Sequence, residues 1–201
     1  GEQHPDDEGF MPDPKVFLAR RLPKDKLPTG NPNAPLEVYD RQLDWLRVVT
    51  VDEAGRVMQL IHYTREIVKA PKDSSDLDEP HVPAEGDIVE VVRARVHRAD
   101  GTIAVPQEID EGDSLRIRWT DLKPGDVVEV ATRGYTELPI GDRGAPPFYF
   151  MDYAGGPTTH PVLWNEVIVR TPKKRPLFTT VVNAELDKNM EHTTTIEKGT
   201  G

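Results

Sequence analysis

The chain has 201 residues with 15 glycines and 19 prolines, about 17% together against a typical ~12%, and that many turn formers suit a β protein better than a helical one. Its formal charge is −10, so the molecule as a whole repels phosphate backbones and anionic lipid, which argues against nucleic acid as a partner; direct membrane insertion is not expected for want of an apolar span. There is no cysteine, which excludes disulfides, thiolate metal sites and a cysteine nucleophile within these residues.

No apolar run approaches the roughly 20 residues of a membrane helix, and none resembles the core of a signal peptide. The first residue is Gly rather than Met, which leads us to expect that a leader or tag has been removed. Residues 1 to about 12 are polar and broken by proline, and read as a loosely held lead-in. In "DPKVFLARRL", Asp13 is placed to cap a short helix, Pro14 to occupy its first position, and Arg20 and Arg21 to close it. "PKDKLPTGNPNAP", Pro23 to Pro35, reads as a linker. The first 35 residues thus form an N-terminal extension, helical or irregular, ahead of a β domain over 36–201.

From Leu36 the apolar period becomes two. "DWLRVVTV" and "RVMQLIHYTREIV", joined by "DEAG", predict a long β-hairpin, with Val57, Ile61, Tyr63 and Ile67 on one parity. "KAPKDSSDLDEPHVPAEGD" has neither period and reads as a surface loop. "IVEVVRARVHRADG" alternates again, with Val92, Ala94 and Val96 on one face and Arg93, Arg95 and His97 on the other. Asp100-Gly101 marks a turn, and Pro106 places the short strand "TIAVPQEI" at an edge or bulge.

"SLRIRW" sets Leu115, Ile117 and Trp119 against Arg116 and Arg118. The following "TDLKPG" turn leads into "DVVEVATRGYTEL", and the two strands are expected to be antiparallel neighbours. "PIGDRGAPPFYFMDYAGGPTTHP" reads as a long ordered loop with a short strand at "FYFMDY", and "VLWNEVIVRT" and "LFTTVVNAEL" as two last strands about "PKKRP". The tail then stops, as though the domain were cut short at its carboxyl end. Many short strands, few helices and no βαβ alternation predict an all-β fold, an antiparallel β-sandwich.

Several stretches invite a chemical reading. In "DLKPGDVVEV", Asp121, Asp126 and Glu129 would do acid–base work only if they converged in a pocket. Turn chemistry explains them better: Pro124-Gly125 suits the centre of a type II turn, Asp121 can bond backbone amides, and Glu129 falls on the strand face opposite Val128 and Val130. "DSSDLDEPH" clusters Asp73, Asp76, Asp78, Glu79 and His81, but without the spacing or the glycine of a calcium loop, so no metal is assigned.

The six histidines, His4, His62, His81, His97, His160 and His192, show no zinc spacing, and no G-x-S-x-G or phosphate loop is present. No catalytic residue and no cofactor site is therefore expected. The remaining surface leads are a basic stripe of Arg93, Arg95, His97, Arg116 and Arg118, should the two strands face the same way, and the aromatics Tyr149 and Tyr153. Such a stripe would suit an acidic protein partner or a glycan carboxylate.

"VVRARVHRADGTIAV" followed by "DSLRIRWTDLKPGDVVEVATR" resembles the DUF3857 family, bacterial envelope-associated domains commonly found just before a transglutaminase-like core. The Arg-x-Asp-Gly turn at Arg98 to Gly101 and the Leu-x-Pro-Gly-Asp-Val-Val-Glu stretch at Leu122 to Glu129 carry the resemblance, which extends from about Leu36 to the end. It implies a noncatalytic β-sandwich in the periplasm or cell envelope, serving protein–protein or interdomain contact. The triad of the usual downstream core is not within these residues, which contain no cysteine. A glycan-binding module, with Trp45, Trp164 or the "FYFMDY" aromatics as sugar platforms, is the alternative.

Overall fold

The computed structural model describes residues 7–21, 40–52, 56–69, 87–111, 115–136 and 163–172. The expected linker at 23–35, the acidic loop at 73–81, the "FYFMDY" strand with Tyr149 and Tyr153, and the strand "LFTTVVNAEL" lie outside them. Two short helices, α1 (Asp7–Phe10) and α2 (Pro14–Ala19), precede eight strands: β1 (Asp40–Val51), β2 (Val57–Ile67), β3 (Asp87–His97), β4 (Ile103–Ala104), β5 (Glu108–Glu111), β6 (Leu115–Arg118), β7 (Val127–Thr136) and β8 (Asn165–Arg170). The protein is all-β with very little helix.

Six strands form one sheet in the order β4-β3-β7-β2-β1-β8, and β5 pairs with β6 in a separate two-stranded ribbon. The long hairpin is present, running from Asp40↔Ile67 to Val51↔Val57. The sheet is mixed rather than purely antiparallel, because β8 runs parallel to β1, from Trp45↔Asn165 to Thr50↔Arg170.

The strands flanking "TDLKPG" are not neighbours, contrary to expectation. Both edges of β7 are taken, by β2 on one side and β3 on the other, so β6 cannot join it and pairs with β5 instead. It then packs on the sheet, where its inward residues Leu115 and Ile117, with Trp119 just beyond its end, meet Ile67, Val96, Val128 and Val130. The alternation read from the sequence holds within β6: these residues are buried, whereas Arg116 and Arg118 are exposed.

The opposite face of the sheet is closed by the N-terminal segment. Asp13 caps α2 by accepting from the Lys15 amide at 2.8 Å, with Pro14 at the first turn. This helix is far too short to persist alone, and packing holds it. Phe17 is fully buried against Leu43 and Val127, and Phe10 of α1 lies on Leu46, Val48 and Leu60. Arg20 pairs with Asp44, and Arg21 Nη2 donates to the Gly125 carbonyl at 2.8 Å.

A bulge between Gln42 and Asp44 supplies the extra residue, Leu43, that meets Phe17. A second irregularity, between Val91 and Arg93, turns Val92 away from Ala94 and Val96 and onto the Leu46, Val48 and Leu60 cluster. Of the β2 parity singled out in the sequence, Val57 and Ile67 are buried whereas Ile61 and Tyr63 are partly exposed; the other parity, Leu60, His62 and Thr64, is fully buried, because the strap of α1 and α2 covers that face.

Candidate functional site

The residue with most chemistry around it is Glu129. It sits in the middle of β7 with no exposed surface, on the strap side, since Val128 and Val130 face the β5–β6 ribbon. Register brings four bases to it. On β3, Arg95 lies opposite Glu129, and Arg93 and His97 stand two residues to either side on the same face. On β2, His62 comes from the other flank of β7.

Glu129 Oε2 accepts from Arg95 Nε at 2.5 Å and lies 2.6 Å from His97 Nε2; Oε1 accepts from Arg93 Nη1 at 3.2 Å and lies 3.1 Å from His62 Nε2. An ionised carboxylate only accepts, so both imidazoles carry their hydrogen on Nε2. His62 Nδ1 is buried and has no hydrogen-bond partner. Phe17 seals the cluster, its ring 6.0 Å from that of His62 and 5.3 Å, edge-on, from that of His97.

Burial alone would push the Glu129 carboxyl upward in pKa. The hydrogen bonds from His62, His97 and Arg95, together with the charge of Arg95, overcome that and hold it far below the ordinary carboxylate range. The group is thus a fixed anion at neutral pH, with both oxygens occupied. Such an arrangement ties three strands and a helix together and offers no basic lone pair to a substrate.

The second cluster joins the two turns singled out in the sequence. Arg98, at the end of β3, donates through Nη1 to Asp126 Oδ2 at 2.6 Å and to the Asp121 carbonyl at 2.7 Å. Asp126 Oδ2 also accepts from the Lys123 amide at 2.9 Å. Asp126, rather than the expected Asp121, therefore bonds the backbone of the turn, while Asp121 takes a positive φ of 54° and offers its carbonyl to Arg98. Gly125 at φ 91° occupies the left-handed position that a Pro-Gly turn requires, and it faces Ala99 of the neighbouring Asp-Gly turn. In that turn Asp100 Oδ1 accepts from the Thr102 amide and hydroxyl at 2.9 and 2.6 Å.

The predicted basic stripe does not form as one surface. Arg93, Arg95 and His97 converge on Glu129, whereas Arg116 and Arg118 belong to β6, which packs on the other face of the sheet. Arg118 pairs with Glu108 across the ribbon at 2.7 Å, and Arg116 is exposed. Of the proposed sugar platforms, Trp45 is half-buried and stacked on Tyr63 with centroids 5.7 Å apart. Trp164 is 48% exposed, with the Arg20 guanidinium 4.5 Å from its ring centre.

Among the described residues no group of three or more His, Asp or Glu is arranged to hold a metal ion. No helix there is long and apolar enough to cross a membrane. A depression lined by Tyr63, Arg65, Ile67, Trp119 and Val128 has room for no more than about one water molecule.

Sequence reasoning missed Glu129, which it read only as a strand-face residue. The signal was available: a single acid inside an apolar strand, and alternating bases at Arg93, Arg95 and His97 on a strand able to pair with it. What was lacking was the pairing of β3 with β7.

No family model matches the chain, and no curated protein matches it. Among solved structures it is similar to a crystal structure named as that of "a putative protease" from Parabacteroides distasonis, at a TM-score of 0.44 and 11% identity. The match covers 51% of this chain and 24% of that one. A likeness this loose bears on neither fold nor activity.

Proposed function

We propose that this chain is a noncatalytic β-sandwich module that positions or recognises a protein partner or an adjoining domain of a longer chain, in the bacterial periplasm or cell envelope. The observation that carries the reading is the closure of the Glu129 cluster. In the one concentration of acid, imidazole and guanidinium groups among the described residues, the acid is wholly engaged in holding the sheet to its strap, with Phe17 fully buried beside it. The compartment and the DUF3857 assignment rest on the resemblance alone. The mutual clamping of the Asp-Gly and Pro-Gly turns through Arg98 gives those two motifs a shared structural purpose. The sandwich would have the six-stranded sheet as one layer and the β5–β6 ribbon as the start of the other.

Chemical cross-linking of the full-length protein, read by mass spectrometry, is expected to join this module to a neighbouring domain or a second polypeptide. A glycan-binding reading draws on the exposed Trp164 ring. Co-sedimentation with insoluble peptidoglycan, abolished by Trp164→Ala and unaccompanied by any protein cross-link, would overturn the first reading in favour of the second.

A further inference from the structure

We propose that the β3–β4 corner of the Glu129 face docks an acidic, aliphatic segment of a protein partner, with a carboxylate on Arg93 and Arg95 and an apolar side chain on Ile103 and Val105. This deepens the partner-binding reading above and rests on it.

The register puts the two halves of the surface side by side. β4 pairs with the end of β3 through Val96↔Ala104 and His97↔Ile103, so Ile103 stands on the face that carries His97, Arg95 and Arg93. Its neighbour on the other parity, Ala104, packs instead with the apolar cluster under the β5–β6 ribbon. Ile103 is 59% and Val105 76% exposed. Single exposed aliphatic side chains are ordinary, but Ile103 shares its face with two partly buried arginines, and Val105 follows it two residues on. Pro106 follows at once and removes a ladder donor, which keeps the exposed edge from growing by strand addition.

The charge count supplies the other half. Two guanidinium groups share a single carboxylate, which two imidazoles also engage. Arg93 gives Glu129 one hydrogen bond, through Nη1 at 3.2 Å, although a guanidinium has five N–H donors. About a quarter of the Arg93 and Arg95 side-chain surface remains open, at 23% and 24%. A planar fork with unspent donors and excess positive charge fits a partner carboxylate. On a molecule whose formal charge is −10, a corner where two guanidinium groups share one carboxylate draws an acidic segment against the repulsion of the whole.

The test is an NMR titration of the intact chain with an alternating Glu-Leu hexapeptide and its Gln-Leu twin, following the Arg Nε–Hε and Ile and Val methyl signals. Saturable shifts at Arg93, Ile103 and Val105 are expected, with the Gln-Leu twin and the Arg93→Gln variant each about tenfold weaker and binding falling with added salt. Val105→Asp, at an exposed position that leaves the core untouched, is expected to weaken binding at least as much. It decides the matter alone should Arg93→Gln fail to fold.

Absence of saturable shifts, equal binding of both peptides, or indifference to Val105→Asp would overturn the proposal. A partner cross-linked to the full-length protein equally well in the wild type and both variants would discard this surface while keeping the module reading. Loss of every cross-link from the wild type would discard both.

Discussion

The two faces of the central sheet are closed by opposite means. On one, the ribbon lays Leu115, Ile117 and Trp119 on Val96, Val128 and Val130, and the stabilisation is non-directional removal of apolar surface from water. On the other, the α1–α2 strap covers a layer in which Glu129, His62 and His97 lie among Phe17, Leu43 and Val127. There the fit depends on hydrogen-bond geometry. An apolar face tolerates loss of volume in proportion to the volume lost, whereas a charged layer fails when any one partner leaves its neighbours unpaired.

That contrast is broken most sharply at Glu129. Glu129→Ala strands Arg95, Arg93 and two imidazoles without their anion, and is expected to cost about 3–5 kcal/mol, the range for breaking a buried pair from one side. Ile117→Ala, which truncates a residue 8% exposed on the apolar face, is expected to cost about 2–4 kcal/mol through lost transfer energy and a partly filled cavity. Urea melts of the two variants measure both. Equal and small losses would show that Glu129 is a bystander in a core held by Phe17 and its neighbours.

Acid separates the faces next. Because the Glu129 pKa is depressed in the folded state from its ordinary value of 4.5, the stability it contributes is fully present above that value. It is lost progressively as the pH falls from about 4.5 toward the folded-state pKa. Thermal melts of wild type and Glu129→Gln should therefore lie furthest apart at neutral pH and converge below pH 4.5. Those of Ile117→Ala should run parallel to wild type throughout. Parallel curves for both would mean that no linkage passes through Glu129.

The same contrast explains what the sequence disclosed. The apolar face announces itself through period-two alternation in Leu115, Ile117 and Trp119, and the hairpin through its matched runs and turn, because both are local patterns. The Asp13 cap and the two glycine turns are local as well. The charged face was not legible, since His62, Arg95 and Glu129 come from three strands and have meaning only once β7 is known to lie between β2 and β3. Asp126 was misjudged against Asp121 for a related reason. Asp126 is held at the turn by Arg98, which arrives from another strand. The strap reads as an extension ahead of the β domain because the proline-rich sequence after it masks the contact that Phe17 makes with Leu43.

A gentler change probes the turn where the two faces meet, and the smallest probes the outer surface of the ribbon. Gly125 holds φ 91°, and a Cβ added there meets Ala99 at an ordinary 3.6 Å, so Gly125→Ala suffers backbone strain and no clash. The expected cost is about 1–2 kcal/mol. Because Arg21 from the strap and Ile67 from β2 both bond the Gly125 backbone, hydrogen exchange should quicken on both elements at once. If only the turn itself loosened, the strap would be independent of it.

Arg116→Ala, by contrast, removes an exposed side chain from the outer surface of β6 and should change stability by no more than about 0.5 kcal/mol. Arg95→Ala, three strands earlier in chain order and chemically the same substitution, should cost several times that, because its Nε lies 2.5 Å from a carboxylate with no exposed surface. The ratio of those two losses, measured in one buffer by denaturant melts, tests whether location on the strap face rather than residue type sets the worth of an arginine in this fold.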